Sequence, residues 1–195
     1  RLRRNKLAMA GLVVLLLEVA VALGADRIAN YEQKVIRQNI SRRLEGPSSD
    51  HLLGTDELGR DILARIVHGA RVSLTEGFIA VGIALAIGGV LGAIAGYFGG
   101  RLDEVIMRFI DILMAVPPIL LAIALVAALG SNLVNLMLAI GISSVPGYAR
   151  IVRASVMTVK DQEYIEAARA LGAKTGRIIF DHIVPNSLAP VIVQS

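Results

Sequence analysis

Apolar residues in this chain gather into long runs separated by polar stretches. Leu7 to Ala25 is the first run, 19 residues with a single charge, Glu18. About 20 apolar residues cross roughly 30 Å of hydrocarbon, so the run predicts a first membrane span. A cleaved signal peptide also pairs a basic leader with an apolar core, but such cores are usually about 7–15 residues long and accommodate Glu18 badly. An uncleaved span is favoured. Gly77 to Gly100 carries no charge over 24 residues, and within it Ala80, Ala84, Gly88, Gly92, Gly96 and Gly100 recur every four. A stripe of small residues lets a second helix approach closely, which matters in lipid because packing drives helix association there. Gly88, Gly92 and Gly96 are the expected packing positions.

Between Asp111 and Arg150 lie 38 uncharged residues, roughly 57 Å as one helix at about 1.5 Å per residue. That is nearly twice a bilayer core, so two spans are expected, 103–129 and 133–151, with the break at Gly130-Ser131-Asn132. Pro117 and Pro118 should disturb the first of these, because proline lacks an N–H and clashes with the preceding turn. Pro146 and Gly147 are expected to break the second near its end. Such breaks are tolerated in membranes where protein or a water-filled path satisfies the freed carbonyls.

Residues 26 to 72 are polar, with an irregular link at Gly46-Pro47-Ser48-Ser49. From Asp56 onward, Leu58, Ile62, Leu63, Ile66 and Val67 recur at helical spacing, with Arg60, Asp61, Arg65 and Arg71 on other faces. This predicts an amphipathic helix lying along the membrane, or a small solvated helix. Beyond the last long run, Asp161 is a candidate N-cap, residues 162–171 suit a helix, and Gly172 stands where a left-handed residue ends one. Thr175 can cap a second helix over 176–182 that should finish before Pro185. Two short helices at an angle make a compact knob, and Ala167 and Ala168 keep one of its surfaces low.

Composition agrees with the pattern. The chain is 55% hydrophobic with a mean hydropathy of +0.66, too apolar for an ordinary soluble domain. The fold class is therefore an all-α polytopic membrane bundle of about four complete spans plus a cytoplasmic hairpin. With no cysteine there is no disulfide or thiolate metal site. The net charge of +4 rests largely on Arg1, Arg3, Arg4 and Lys6 beside the first run, which fits a cytoplasmic flank better than nucleic-acid binding. With the N-terminus inside, four crossings leave residues 26–72 outside and everything after Ile151 in the cytoplasm. The outside loop has eight Lys/Arg against seven Asp/Glu, while six basic residues fall between Arg150 and Arg177. The organisation expected is 1–25 N-terminus and first span, 26–72 extracytoplasmic loop, 73–151 spans two to four, 152–190 cytoplasmic hairpin, and 191–195 the start of a further span.

Glu166-Ala167-Ala168, then three residues, Gly172, and Pro185 further on resemble the loop by which permease subunits of bacterial ABC importers engage their ATPases. His51 to Arg65, with Gly54, Thr55, Asp56, Gly59, Arg60 and Asp61, continuing through Gly69-Ala70-Arg71, is similar to the segment before the second span in dipeptide, oligopeptide and nickel importer permeases. The resemblance covers most of residues 1–190. It implies that the hairpin, with Glu166, Ala167, Ala168, Arg169, Gly172, His182 and Pro185, docks an ATPase. It also implies a second permease, two ATPase subunits that hold the ATP and Mg²⁺, an extracytoplasmic substrate-binding protein, and the bacterial inner membrane around the chain. No cofactor, metal or catalytic residue is expected on the chain itself. The family pattern has six core spans, so this chain is expected to be short by about two, with both ends incomplete. Gly59 and Gly69 are read as close-approach points beside another subunit.

Other readings have less support. The spacing around Ala168, Gly172 and Ile178 also matches a DNA-binding helix-turn-helix, but the second helix is too apolar for a groove reader. A phosphate-binding loop ending in Gly-Lys-Ser/Thr, His-Glu-x-x-His and Gly-x-Ser-x-Gly are all missing from the sequence. A channel or secondary carrier usually needs ionisable groups at mid-membrane, where Glu18 is the one candidate, expected instead to be buried against a helix. A membrane-anchored scaffold whose hairpin recruits another protein remains the alternative function.

Overall fold

The computed structural model describes residues 6–194, so the basic leader at Arg1, Arg3 and Arg4 lies outside the described residues. The chain forms two compact units, residues 1–76 and 77–195. Its helices are α1 (Lys6–Leu23), α2 (Ala25–Ile28), α3 (Ile62–Phe98), α4 (Gly100–Met114), α5 (Pro118–Leu129), α6 (Leu133–Lys160), α7 (Glu163–Ala170), α8 (Thr175–Arg177) and α9 (Val184–Gln194). No strand occurs among the described residues beyond an isolated bridge between Thr55 and Asp61.

In the first unit α1 exposes Leu12 to Leu17 and buries only Ala22 along its length, the pattern of a lipid-facing span. Glu18 is exposed as well, not buried against a neighbour. Arg71, expected off the apolar face of its helix, reaches back to the end of α1. Its Nε donates to the Ala22 carbonyl at 3.0 Å and its Nη2 pairs with Asp26 at 2.9 Å. His68 is buried, and its Nε2 donates to the Ala29 carbonyl at 2.8 Å. These two side chains satisfy carbonyls that a helix end and a turn would leave bare.

The amphipathic helix expected from Asp56 along the membrane is not a separate element. Residues 52–61 are irregular, and the helix begins at Ile62, capped by Asp61, whose Oδ1 accepts the Ala64 N–H at 2.8 Å. From there α3 runs unbroken for 37 residues into the second span. Nothing between Val72 and Gly77 forbids this: no proline intervenes, and one internal glycine costs only about 1 kcal/mol.

In the second unit α3 packs on α6 with almost no space between the backbones. A side chain at Gly88 would meet the Val145 carbonyl at 2.5 Å, one at Gly96 the Arg153 carbonyl at 2.8 Å, and one at Gly92 the Ala149 carbonyl. The approach is mutual, since Gly141 of α6 faces Ile83 and the Ala80 carbonyl. Gly100, the last of the expected stripe, instead opens α4 and touches nothing. Ala84, Tyr148, Val152 and Val156 form the core above this seam, joined by Ile165, Ile178, Ile183 and Val191. Ile110 of α4 is fully buried against Val145 and Ala149.

The 103–129 segment is bent rather than straight: α4 and α5 meet at 83° across the stretch that holds Pro117 and Pro118. The pair is a broken span or a re-entrant loop, so three to four crossings fit the helices by length and composition. The break at 130–132 is where the sequence places it, with Asn132 accepting the Asn135 N–H at 2.8 Å as the cap of α6.

Pro146 and Gly147 do not break α6, which continues to Lys160 instead of ending near Ile151. Pro146 can donate no hydrogen bond to the preceding turn, yet Val145, Pro146, Tyr148 and Ala149 are all buried. Packing against the glycine seam of α3 therefore holds the helix through its missing bond.

Candidate functional site

The hairpin that follows α6 is built around three buried isoleucines, Ile165, Ile178 and Ile183. Ile165 has no exposed surface and packs with Val156, Ile178 and Ile183, which fixes α7 to the body of the second unit. Gln162, rather than Asp161, occupies the cap position of α7. At the other end Gly172 adopts φ +79. Its N–H donates to the Arg169 carbonyl at 2.9 Å, and the Ala173 N–H reaches the Ala168 carbonyl at 3.0 Å. This is a complete Schellman closure, and it requires a residue that enters the left-handed region without strain.

The chain does not stop before Pro185. From Thr175 it stays helical through a π-turn over Ile178–Ile183 and into α9. The Val184 N–H bonds to the Ile179 carbonyl, five residues back, and this widened turn accommodates the ring of Pro185, which has no N–H to continue the ladder.

With Ile165 turned inward, Glu166, Ala167, Arg169, Gly172 and Pro185 are exposed, and Ala168 and His182 are half-buried. Two features were not read from the sequence. Leu171 is 88% exposed, an apolar side chain at the tip beside Ala167. Its position just before the helix-ending glycine is the signal that could have found it. Tyr97, near the end of α3, lies under two cations, with Lys160 Nζ 6.0 Å and Arg169 Cζ 5.9 Å from its ring centroid. Arg169 thus has a partner within the chain, and the pairing ties the end of α6 and the end of α7 to α3. No local sequence pattern announces a contact that spans over seventy positions. His182 stacks edge-on to Tyr164, ring centroids 6.4 Å apart.

The segment from His51 to Asp61 forms a second, separate constellation in the first unit. Asp56 is its hub, its Oδ1 accepting the Leu58 and Arg60 N–H groups at 2.9 Å each and its Oδ2 the guanidinium groups of Arg60 and Arg65 at 2.8 and 2.6 Å. Thr55 is buried, with its hydroxyl donating to the Arg42 carbonyl and accepting the Glu45 N–H. Gly59 has φ +71, and a side chain there would collide with the Asn39 carbonyl; Gly54 likewise backs onto Glu45. These glycines therefore approach this chain's own loop rather than another subunit, and Gly69 has open space around it.

Partial burial acts to raise the Asp56 pKa, but the two N–H bonds and the Arg60 guanidinium outweigh it and lower it from 3.8 to about 2. At Asp61 burial is likewise overcome, by the Ala64 N–H and by the bond from His51 Nδ1 at 2.9 Å. The sign follows: the Asp56 contribution to loop stability is fully present above about pH 4 and is lost as pH falls through about 2. The protection factors of residues 54–60, the intrinsic exchange rate at each pH divided by the observed rate, are expected to fall over that window, and to fall less in Asp56→Asn, where the remaining change belongs to Asp61. Equal protection of both proteins at every pH would contradict the hub.

Among the described residues no three His, Asp or Glu side chains converge in a way that could hold a metal ion.

Two helical signatures, a glycine seam and a hairpin closed on Gly172, fall within a region matched by a known family. Residues 88–195 match the binding-protein-dependent transport system inner membrane component. The chain belongs to this permease family. Residues 1–47 further match the N-terminal transmembrane domain of oligopeptide transport permease C. The dipeptide transport system permease protein DppC of Alkalihalophilus pseudofirmus is 50% identical over 195 residues, all of this chain and 64% of its own length. The oligopeptide transport system permease protein OppC of Bacillus subtilis is 43% identical over 193 residues, 99% of this chain and 63% of its own. The glutathione transport system permease protein GsiD of Pectobacterium atrosepticum is 45% identical over 192 residues, covering 98% and 63%. The chain thus spans a little under two thirds of the length of these relatives. The family and the apolar helices make it a multi-pass inner-membrane protein of the permease type.

Proposed function

We infer that this permease forms half of the membrane pathway of an ATP-driven, binding-protein-dependent importer of di- or oligopeptides. A second permease supplies the other half. Two ATPase subunits bind ATP and Mg²⁺, one of them docking on the hairpin 163–185, and an extracytoplasmic binding protein delivers cargo. The observation that carries this reading is the division of labour within α7. Ile165 anchors the helix in the core while Glu166, Ala167 and Leu171 stand exposed on a low surface that a partner groove can close over. The names of the relatives favour peptides over nickel as cargo.

Counting α1, α3, the bent α4–α5 pair and α6 as four crossings returns the chain to the side on which it starts. With a cytoplasmic N-terminus, the hairpin then faces the ATPases and residues 26–61 face outward. Closure of the ATPases on ATP moves the knob, and because α7 is locked to α6 and, through Tyr97, to α3, the spans follow as rigid elements.

Cysteine crosslinking in membranes tests this reading, since the chain has no native cysteine. Single cysteines at Glu166, Ala167 and Leu171, paired with cysteines on the ATPase, are expected to give crosslinks whose yield changes with ATP. If folded, inserted protein yields none at any of the three, the hairpin is structural and the membrane-anchored scaffold takes the transporter's place.

A further inference from the structure

The loop unit carries an open polar cleft of about 540 Å³ whose walls include Lys34, Arg37, Arg42, His51, Gly59 and Asp61. Its charges are not equivalent. Arg42 is held by Glu45 at 2.8 Å and approached by Asp50 at 3.6 Å. Asp61 is occupied by the Ala64 N–H and by His51. Lys34 and Arg37 form no ion pair among the described residues, although the charge of Lys34 helps lower the Asp61 pKa. Two cations without an ion-pair partner among the described residues thus line a concave surface, Lys34 sharing it with the Asp61 carboxylate that His51 already engages.

That surface is also rigid. The Asp61 N–H donates to the Lys34 carbonyl at 3.1 Å, the Asn39 N–H to the Leu58 carbonyl at 3.0 Å, and Gly59 lies hard against Asn39. Lys34 sits in a π-turn over Tyr31–Ile36 that is capped by Asn30. The backbone presenting both cations is therefore fixed before any ligand arrives, which reduces the ordering cost of binding.

We propose that this cleft receives a carboxylate side chain of the extracytoplasmic binding protein, with Lys34 and Arg37 as its cationic partners; the inference rests on the importer reading above. Height argues against lipid. The apolar helix α1 ends at Leu23, and the Arg71 guanidinium bonds the Ala22 carbonyl; a charge at that level belongs at or beyond the end of the hydrocarbon. Asp61 precedes Arg71 by ten positions, roughly 15 Å along the α3 axis. A tilt of about 40° still leaves about 11 Å, while the headgroup layer is only about 6 Å deep. The neighbouring surface argues for a protein rather than a free solute. Ile36, Ile40 and Leu44, in the same stretch of chain, are 55%, 64% and 62% exposed, and a docked protein face would cover them.

The test uses the whole transporter, this permease with its second permease and ATPases, in nanodiscs with the binding protein encoded beside it. A zero-length carbodiimide is expected to join Lys34 to an Asp or Glu of the binding protein, and Lys34→Arg is expected to abolish the link while leaving affinity intact. Lys34→Gln with Arg37→Gln should weaken binding about tenfold or more and flatten its salt dependence. Arg27→Gln with Arg43→Gln, which removes the same charge elsewhere on the loop, should not. If the parent complex itself fails to bind the binding protein, the importer reading falls and takes this proposal with it. If the parent binds and the Lys34/Arg37 variant binds equally well, only the cleft assignment is overturned. A defect confined to nanodiscs containing phosphatidylglycerol would assign the cleft to a headgroup. A carbodiimide link to a free acidic dipeptide without the binding protein would assign it to cargo. Either of these two results overturns the proposal.

Discussion

Replacing Gly92 by leucine is expected to leave little recoverable folded protein. A Cβ at that position would run into the Ala149 carbonyl and lie 3.0 Å from both the Ala149 carbonyl carbon and the Arg153 nitrogen. All three are backbone atoms of α6, so no rotamer change makes room, and the two spans must separate. Overpacking typically costs about 1–3 kcal/mol when side chains can yield, and a clash with a second backbone belongs at or above the top of that range. Total stability is on the order of 5–15 kcal/mol, and the same seam buries Tyr148, Val152 and Val156, so the core loosens with it. Gly82→Ala, on the same helix with nothing within 4 Å of the added carbon, is the matched control. It should hold or slightly raise the thermal midpoint, through better helix propensity. Size-exclusion recovery and the unfolding midpoint in detergent decide the matter. A Gly92→Leu protein that elutes and melts like the parent would remove the close approach of α3 and α6.

The glycine seam was legible because its signal is local and periodic: small residues every four positions in an uncharged run can mean little besides helix contact in lipid. The same holds for Gly172, where one residue type answers one backbone requirement. Boundaries that depend on the rest of the fold were not legible. Pro146 reads as a break because the sequence displays the lost N–H and not the buried surface around it. The helix from Asp56 was placed too early because the apolar spacing of Leu58 and Ile62 hides the fact that Asp56 is consumed by three donors of its own loop and by Arg65 of α3. Pro185 was given a stopping role that a π-turn removes. The first helix of the hairpin and its end at Gly172 were legible in the sequence, but its attachment through Tyr97 and its exposed Leu171 emerge only once α3, α6 and α7 are brought together.

Asp103→Asn is expected to destabilise the bundle several times more than Asp111→Asn, although both remove an acid that bonds an arginine of α6. Asp103, in the first turn of α4, faces Arg153 through two bonds, Nε to Oδ1 at 2.5 Å and Nη2 to Oδ2 at 2.6 Å. Their side chains are only 18% and 29% exposed. Asp111 and Arg150 share one bond at 2.8 Å, and both are about half exposed. A fork-to-fork pair with little water nearby gains geometry as well as charge, and losing one partner leaves a cation partly buried, a cost of about 2 kcal/mol. The exposed pair is worth under about 1 kcal/mol. Arg153→Lys should fall between the two, since a lysine keeps the charge and loses the planar fork. The Arg153 backbone lies against Gly96, so the pair joins α4 to the seam where α6 closely approaches α3. Through this pair α4, which leads into the 83° bend, is tied to α6, which carries the hairpin. Asp103→Asn is therefore also expected to keep the ATPase crosslink while losing ATP-driven uptake. Equal losses of stability from the two aspartate variants, measured by denaturant unfolding in detergent, would show that burial and bidentate geometry do not set the strength of these pairs.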